Sequence, residues 1–252
     1  MNDSSFRKYT LLSLLVIAFG LIVAANFWKS NLKVKRLLVE GNRIVETNEI
    51  LQLAHVRKGT LMYDVDLMVM QKDIASHPFI KEVVVERDLP ATLKIGVTER
   101  TPLAMINAGE ILYVDAEGVV LPHSISKEVF DLPMLTGSIP ADVSIGRTLR
   151  HPDVQQALRI LAAAKLVNKE LYHLISEVRL RNGGDLVLYA SEDGVPIIFG
   201  RDDIAGKLVK LEAFWKDIVR EQGLQRLQYV DLRFEDQIVA RWIPERGQPK
   251  KL

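Results

Sequence analysis

The polar and apolar positions divide the chain into two stretches with different periods. From Tyr9 to Trp28 no charged residue interrupts an apolar run, about the twenty residues a helix needs to cross a hydrocarbon core of about 30 Å. Leu11, Leu12, Leu14, Leu15, Val16, Ile17, Phe19, Leu21, Ile22, Val23 and Phe27 each favour insertion by about 0.3–0.6 kcal/mol, together several kcal/mol. Val23-Ala24-Ala25 has the small residues of a signal cleavage site, but a secretory apolar region runs only about 7–15 residues. The run therefore reads as an uncleaved anchor over residues 9–28. Its tail, residues 1–8, is too short to fold. Arg7 and Lys8 precede the span while Lys29, Lys33, Lys35 and Arg36 follow it, so charge counting does not settle its orientation.

Beyond the span the periods alternate between two and 3.6. Residues 33–39 are β-prone and close on Glu40-Gly41-Asn42, a turn sequence. Thr47 is placed to cap a helix with Glu49 in its first turn, carrying Ile50, Leu51 and Ala54 up to about Val56, with Lys58-Gly59 as its end. Asp66 is placed to cap a second helix with Leu67, Met70 and Ile74 on one face, stopped by Pro78. Strands follow over 80–87 and 92–98, joined by Asp88-Leu89-Pro90-Ala91, with Leu93, Ile95 and Val97 on one side. This is a β-α-α-β-β unit in which two helices cover one face of three strands.

After Arg100 the pattern predicts strands at 103–106 and 111–114 around Asn107-Ala108-Gly109, and Val119-Val120-Leu121 after a turn at 115–118. Pro152 and Asp153 open a helix striped by Val154, Leu158, Leu161 and Leu166. Strands return over 175–180, 186–190 and 195–199. Asp202 or Asp203 caps a further helix carrying Leu208, Leu211, Phe214 or Trp215, and Ile218. A hairpin ends the pattern. Val230, Leu232 and Phe234 face one side and Tyr229, Asp231 and Arg233 the other; Glu235-Asp236-Gln237 turns the chain; Ile238, Ala240 and Trp242 then oppose Val239 and Arg241. A last strand at a sheet edge offers unpaired backbone groups to another chain, unless charges blunt it. The fold class is α+β: one membrane helix, the β-α-α-β-β unit, then a mostly antiparallel sheet with two helices.

Composition narrows the chemistry. Hydrophobic residues make up 48% of the 252 and charged residues 26%, enough for one large or two small cores. The net charge of +1 gives no electrostatic footprint for nucleic acid. Cysteine is absent, which removes disulfides, zinc–thiolate sites and thiol nucleophiles. His55, His77, His123, His151 and His173 stand far apart, and neither a P-loop nor Gly-x-Gly-x-x-Gly occurs. Ser-x-x-Lys recurs at Ser124/Lys127 and Ser30/Lys33, without the companion motifs that make it catalytic. Asp115 and Glu117 are an acid/base pair by residue type, but their place before Gly118 reads as turn chemistry.

The first unit, through VEGNRIV and HPFIKEVVVERDLPATLKIGVTERTPLA, resembles a POTRA domain of the FtsQ/DivIB family of bacterial division proteins. ILYVDAEGVVL, LPMLTG and YVDLRFEDQIVARW resemble the same family's β-domain. The resemblance implies a POTRA domain over 33–100 and a β-domain over 101–244; the residues of the tail over 245–252, ending RGQPKKL, read as flexible. It implies a non-enzymatic inner-membrane protein at the division septum, N-terminus cytoplasmic and C-terminal domains periplasmic, without cofactor, metal, nucleic acid or small-molecule substrate. Implied partners are FtsB and FtsL, with FtsK and other division proteins at the POTRA second helix and hairpin edge, residues 81–88 being a candidate. Implied too is a share in controlling septal peptidoglycan synthesis. Carried over by position, Arg233 pairs with an acidic residue of FtsB, Phe234 packs against FtsB and Trp242 is the terminal-strand tryptophan. Arg179 and Arg181 lie near a second family arginine, and Tyr229, Ile238 and Ala240 complete the docking hairpin. Residues 237–241 are bulkier than the small residues common in that strand. The alternative is a POTRA-containing secretion or outer-membrane assembly protein acting as a polypeptide-binding module. That protein would carry several POTRA units or a long barrel, which the roughly 150 residues after Arg100 do not supply.

Overall fold

A computed structural model describes residues 3–123, 130–219, 221 and 223–243, with side chains from Thr10 onward. The N-terminal run is one helix, α1 (Asp3–Ser30), long and apolar enough to cross a membrane over Thr10–Ser30. The chain divides into two units, Met1–Glu99 and Arg100–Leu252.

In the first unit the elements after α1 are β1 (Arg36–Glu40), α2 (Thr47–Leu53), α3 (Leu67–Ala75), β2 (Ile80–Asp88) and β3 (Thr92–Glu99). The sheet order is β1-β3-β2, with β1 parallel and β2 antiparallel to β3. Ile50, Met70 and Ile74 from the helices are buried, as are Phe79, Leu93 and Ile95. Gly41 sits at φ 87°, and a Cβ there would stand 2.1 Å from the Val97 carbonyl oxygen, so only glycine closes this turn. Asp66 caps α3 as the pattern predicts, accepting from the Met68 and Val69 N–H groups at 2.9 and 3.1 Å. Thr47 does not cap α2. Glu46 holds the N-cap without a side-chain bond, and Thr47, the first residue inside the helix, accepts from Asn42 Nδ2 at 3.2 Å with its hydroxyl. That helix also stops at Leu53, short of Val56.

The second unit is a nine-stranded sheet ordered β12-β11-β10-β9-β8-β7-β4-β5-β6. Its strands are β4 (Pro102–Asn107), β5 (Ile111–Asp115), β6 (Val120–Pro122), β7 (Met134–Gly137), β8 (Ile175–Leu180), β9 (Leu186–Ala190), β10 (Pro196–Gly200), β11 (Leu227–Asp231) and β12 (Val239–Trp242). Helices α4 (Pro152–Val167), α5 (Lys169–His173) and α6 (Ile204–Phe214) pack with it around one core of Leu158, Leu161, Leu171, Phe199, Leu208 and Val230. β7 is parallel to both neighbours, as is β11 to β10; the other pairings are antiparallel. The loop between β8 and β9 is clamped at Gly183 and Gly184: Asp153, buried at the start of α4, accepts from Gly183 N–H at 2.8 Å and Arg201 Nη2 at 2.6 Å, while Arg201 Nε donates to the Gly184 carbonyl.

Three expectations need correction. Leu166 is 88% exposed while Ala164 is buried; five residues beyond Leu161 it has rotated about 140° off the buried stripe. Ile218 is 38% exposed, because Trp215–Val219 winds as a π-helical turn and shifts the register of the apolar positions. β11 ends at Asp231, so Phe234 does not share a strand face with Val230. The Asp231 carboxylate accepts from the Arg233 N–H at 3.0 Å, an Asx turn that takes the chain out of the ladder.

The terminal strand as a candidate docking edge

Strand β12 is outermost, and among the described residues nothing pairs with its far side. Its inner side is in register with β11: Asp231 faces Val239, Val230 faces Ala240, Tyr229 faces Arg241 and Leu227 faces Trp242. The extra residue, Gln228, lies on β11, leaving β12 regular. Just past β12 the Ile243 N–H donates to the Arg226 carbonyl at 2.7 Å, and the Arg226 guanidinium donates back to the Ile243 carbonyl at 2.9 and 3.0 Å. Backbone groups alternate in direction along an antiparallel strand. With Ile243 turned toward β11, the amides and carbonyls of Ala240 and Trp242 point outward. Their side chains, with Ile238, pack on the core. The edge therefore presents backbone, with its apolar side chains turned inward.

The connection into β12 is held by ion pairs. Arg233 Nε donates to Asp231 Oδ1 and Oδ2 at 3.0 and 3.2 Å, Nη2 to Asp231 Oδ2 at 2.6 Å, and Nη1 to Asp185 Oδ2 at 3.0 Å. Its stem lies over Gly200, where a Cβ would meet Arg233 Cγ at 3.1 Å. The guanidinium beside it holds the buried Asp231 carboxyl below its usual value despite the opposing effect of burial, and the two carboxylates raise the arginine further. Four of the possible donor–acceptor contacts are used, yet one N–H on each Nη remains. Arg233 can thus take a further carboxylate without leaving Asp231. Lys210 of α6 donates to the Glu235 carbonyl in the same connection. Phe234 projects from it, 45% exposed.

The structure brings Tyr229, Arg233, Phe234, Ile238, Ala240 and Trp242 together at this end of the sheet. Arg179 stands on β8, four strand spacings from β12 and so about 19 Å away. It pairs with Glu177 at 3.1 Å and stacks 4.7 Å from the Tyr189 ring centroid. Arg181 follows β8 in the turn that carries Asp185, the carboxylate bound to Arg233. Sequence reasoning missed Asp185, Lys210 and Arg226. Their partners lie 48, 25 and 17 residues away, and no local pattern marks such pairs. Asp231 was legible in principle from the Asp-x-Arg spacing of an Asx turn.

The other sequence candidates are occupied structurally. Arg100 Nη1 binds Asp115 Oδ2 at 2.7 Å and Glu117 Oε2 at 2.9 Å, while Asp115 Oδ1 accepts from the Glu117 and Val119 N–H groups. Both acids thus build a turn. Ser30 Oγ donates to the Phe27 carbonyl at the end of α1. Ser124 and Lys127 lie outside the described residues. Among the described residues no three His, Cys, Asp or Glu side chains group as a metal site.

Residues 32–100 match the family described as POTRA domain, FtsQ-type, and residues 104–233 match that described as Cell division protein FtsQ/DivIB, C-terminal. The chain belongs to the FtsQ/DivIB family. Over 242 residues, 93% of this chain and 87% of the relative, it is 32% identical to the cell division protein FtsQ of Rhodothermus marinus. It is 30% identical to the FtsQ of a Geobacter species over 83% of this chain and 76% of the relative, and 28% identical to that of Neisseria gonorrhoeae over 100% and 98%. The FtsQ/DivIB match includes β11 and Arg233 and ends there, so Phe234 and β12 lie beyond it.

Proposed function

We propose that this chain is a non-enzymatic assembly protein of the bacterial division machinery, anchored by α1 with its N-terminus cytoplasmic and both folded units periplasmic, at the septum. Its partners are FtsB and FtsL, bound through the β12 edge, and FtsK and other division proteins at the POTRA unit; through them it helps to control septal peptidoglycan synthesis. The outward amides and carbonyls of β12 carry this reading. They suit a partner strand, whose affinity comes from backbone pairing, while Phe234, Tyr229, Arg241 and the two spare N–H groups of Arg233 supply side-chain specificity. Arg181 flanks the site through the Asp185 turn; Arg179, farther along the sheet, meets only a partner that extends over its open face.

The test is binding of the full chain in lipid nanodiscs to the FtsB–FtsL ectodomain complex. Ala240→Pro removes an outward N–H while proline remains tolerated at an edge. It should weaken binding by about tenfold, one lost hydrogen bond plus misfit being worth about 1.4 kcal/mol. Phe234→Ala should weaken it similarly. Unchanged affinity in both variants would place the interface elsewhere; no binding by the unaltered chain would remove these partners.

A further inference from the structure

No free linker separates α1 from the POTRA unit. Ser30 Oγ and Asn31 Nδ2 both donate to the Phe27 carbonyl, at 3.0 and 2.8 Å, closing the helix end. The chain is then taken up at once. The Leu32 carbonyl accepts from Met62 N–H at 2.7 Å, Val34 N–H donates to the Thr60 carbonyl at 2.9 Å, and the Val34 carbonyl accepts from Gly59 N–H at 2.8 Å. Lys29 Nζ stands 4.4 Å from the Tyr63 ring centroid and the Arg87 guanidinium carbon 5.2 Å from it. Arg87 is itself fixed, donating to the Met62 and Val65 carbonyls at 3.0 and 2.8 Å.

This splice decides which charges lie near the bilayer. In sequence Arg57 and Lys58 are remote from Lys33, Lys35 and Arg36, but the Gly59–Val34 bond puts the two groups side by side. None of these five cations makes an ion pair among the described residues, whereas Lys94 of the same unit pairs with Glu40 at 2.9 Å. Arg57, Lys58, Lys35 and Arg36 are exposed. The acids on the adjoining loop are Asp64 and Asp66, and Asp66 is spent on capping α3. Trp28 is exposed at the end of the span, an interfacial residue type. Lys33, five residues on, cannot lie more than about 18 Å from it even on extended chain.

We infer that Lys33, Lys35, Arg36, Arg57 and Lys58 form a membrane-proximal face of the POTRA unit that docks on the anionic phospholipid headgroups of the leaflet where α1 ends. A basic face held at headgroup level by a hydrogen-bonded splice meets an anionic surface without an entropic search, and the attraction decays within a Debye length. The inference rests on α1 spanning the bilayer and on no protein partner.

Because the chain has no cysteine, Lys58→Cys carries a single fluorophore. The full chain is placed in nanodiscs of phosphatidylcholine alone or with phosphatidylglycerol, each containing a headgroup spin-labelled lipid as quencher. Co-elution with the discs verifies the span. Quenching should be about twofold stronger in the anionic bilayer, and the difference should vanish near 1 M salt, where the Debye length is about 3 Å. It should vanish also when Lys33, Lys35, Arg36 and Arg57 are changed to Gln. Equal quenching in the two bilayers, or a difference that survives these substitutions, overturns the inference. Loss of the difference in millimolar inorganic phosphate would mean a free-anion site instead, and failure to co-elute would remove the span and the inference together.

Discussion

Truncating Arg233 to alanine isolates the bracket that leads into strand β12. Asp231 is buried and would lose the contacts from Nε and Nη2, keeping the backbone N–H of residue 233 and the nearby Lys207. Stripping one partner from a fully buried pair costs about 3–5 kcal/mol, whereas an exposed pair is worth about 0.2–1 kcal/mol. The Arg233 side chain is 46% exposed and that of Asp231 only 7%, so the expected loss lies between, about 2 kcal/mol. The Asp185 arm, 39% exposed, should contribute under about 1 kcal/mol. Denaturant unfolding of the full chain in detergent, without partner, measures both. A double-mutant cycle with Asp231→Asn should return a coupling of about 1–2 kcal/mol. An Arg233→Ala protein within about 0.5 kcal/mol of the parent, or a cycle with no coupling, would refute the bracket.

Gly137 has φ 84°, and a Cβ there would stand 2.2 Å from the Leu180 carbonyl oxygen in the parallel β7–β8 pair; Gly137→Ala should cost at least about 2 kcal/mol by the same unfolding assay, and an unchanged midpoint would mean the turn relaxes freely. Leu166→Glu should shift stability by less than about 0.5 kcal/mol, since the side chain is exposed; a large loss would put Leu166 back in the core. Asp153 and Asp231 are both held below their usual value, Asp153 by Arg201 and the Gly183 N–H against the pull of burial, Asp231 chiefly by Arg233. The unfolded chain then binds more protons than the folded one below about pH 5, so their stabilisation is full above the unfolded value of about 3.9 and is lost as pH falls through the folded values. Asp153→Asn should flatten the acid limb of a stability–pH curve, and an unchanged slope would show that this carboxylate does not drive it.

Local signals carried most of the elements. The uninterrupted apolar run, the Asp66 cap, the period-two strands of β2 and β3 and the Pro152 start of α4 are each determined by neighbours a few residues apart, and each reappears in the structure. β7 and α5 escaped, being four and five residues long, too short to establish a period. Family resemblance pointed to the terminal hairpin, but alternation alone extended β11 through Phe234, because periodicity does not register an aspartate capturing an amide two residues on. What the sequence determined by itself is the membrane-length helix, the α+β class and the polar and apolar faces, all set by side-chain chemistry at short range. Tertiary structure decided that β12 is the outermost strand, that Asp185 and Asp231 share Arg233, and that Arg57 and Lys58 join the basic stretch after α1. These depend on which strands pair and which distant loops close together, a choice made by burial of the whole core rather than by any local pattern.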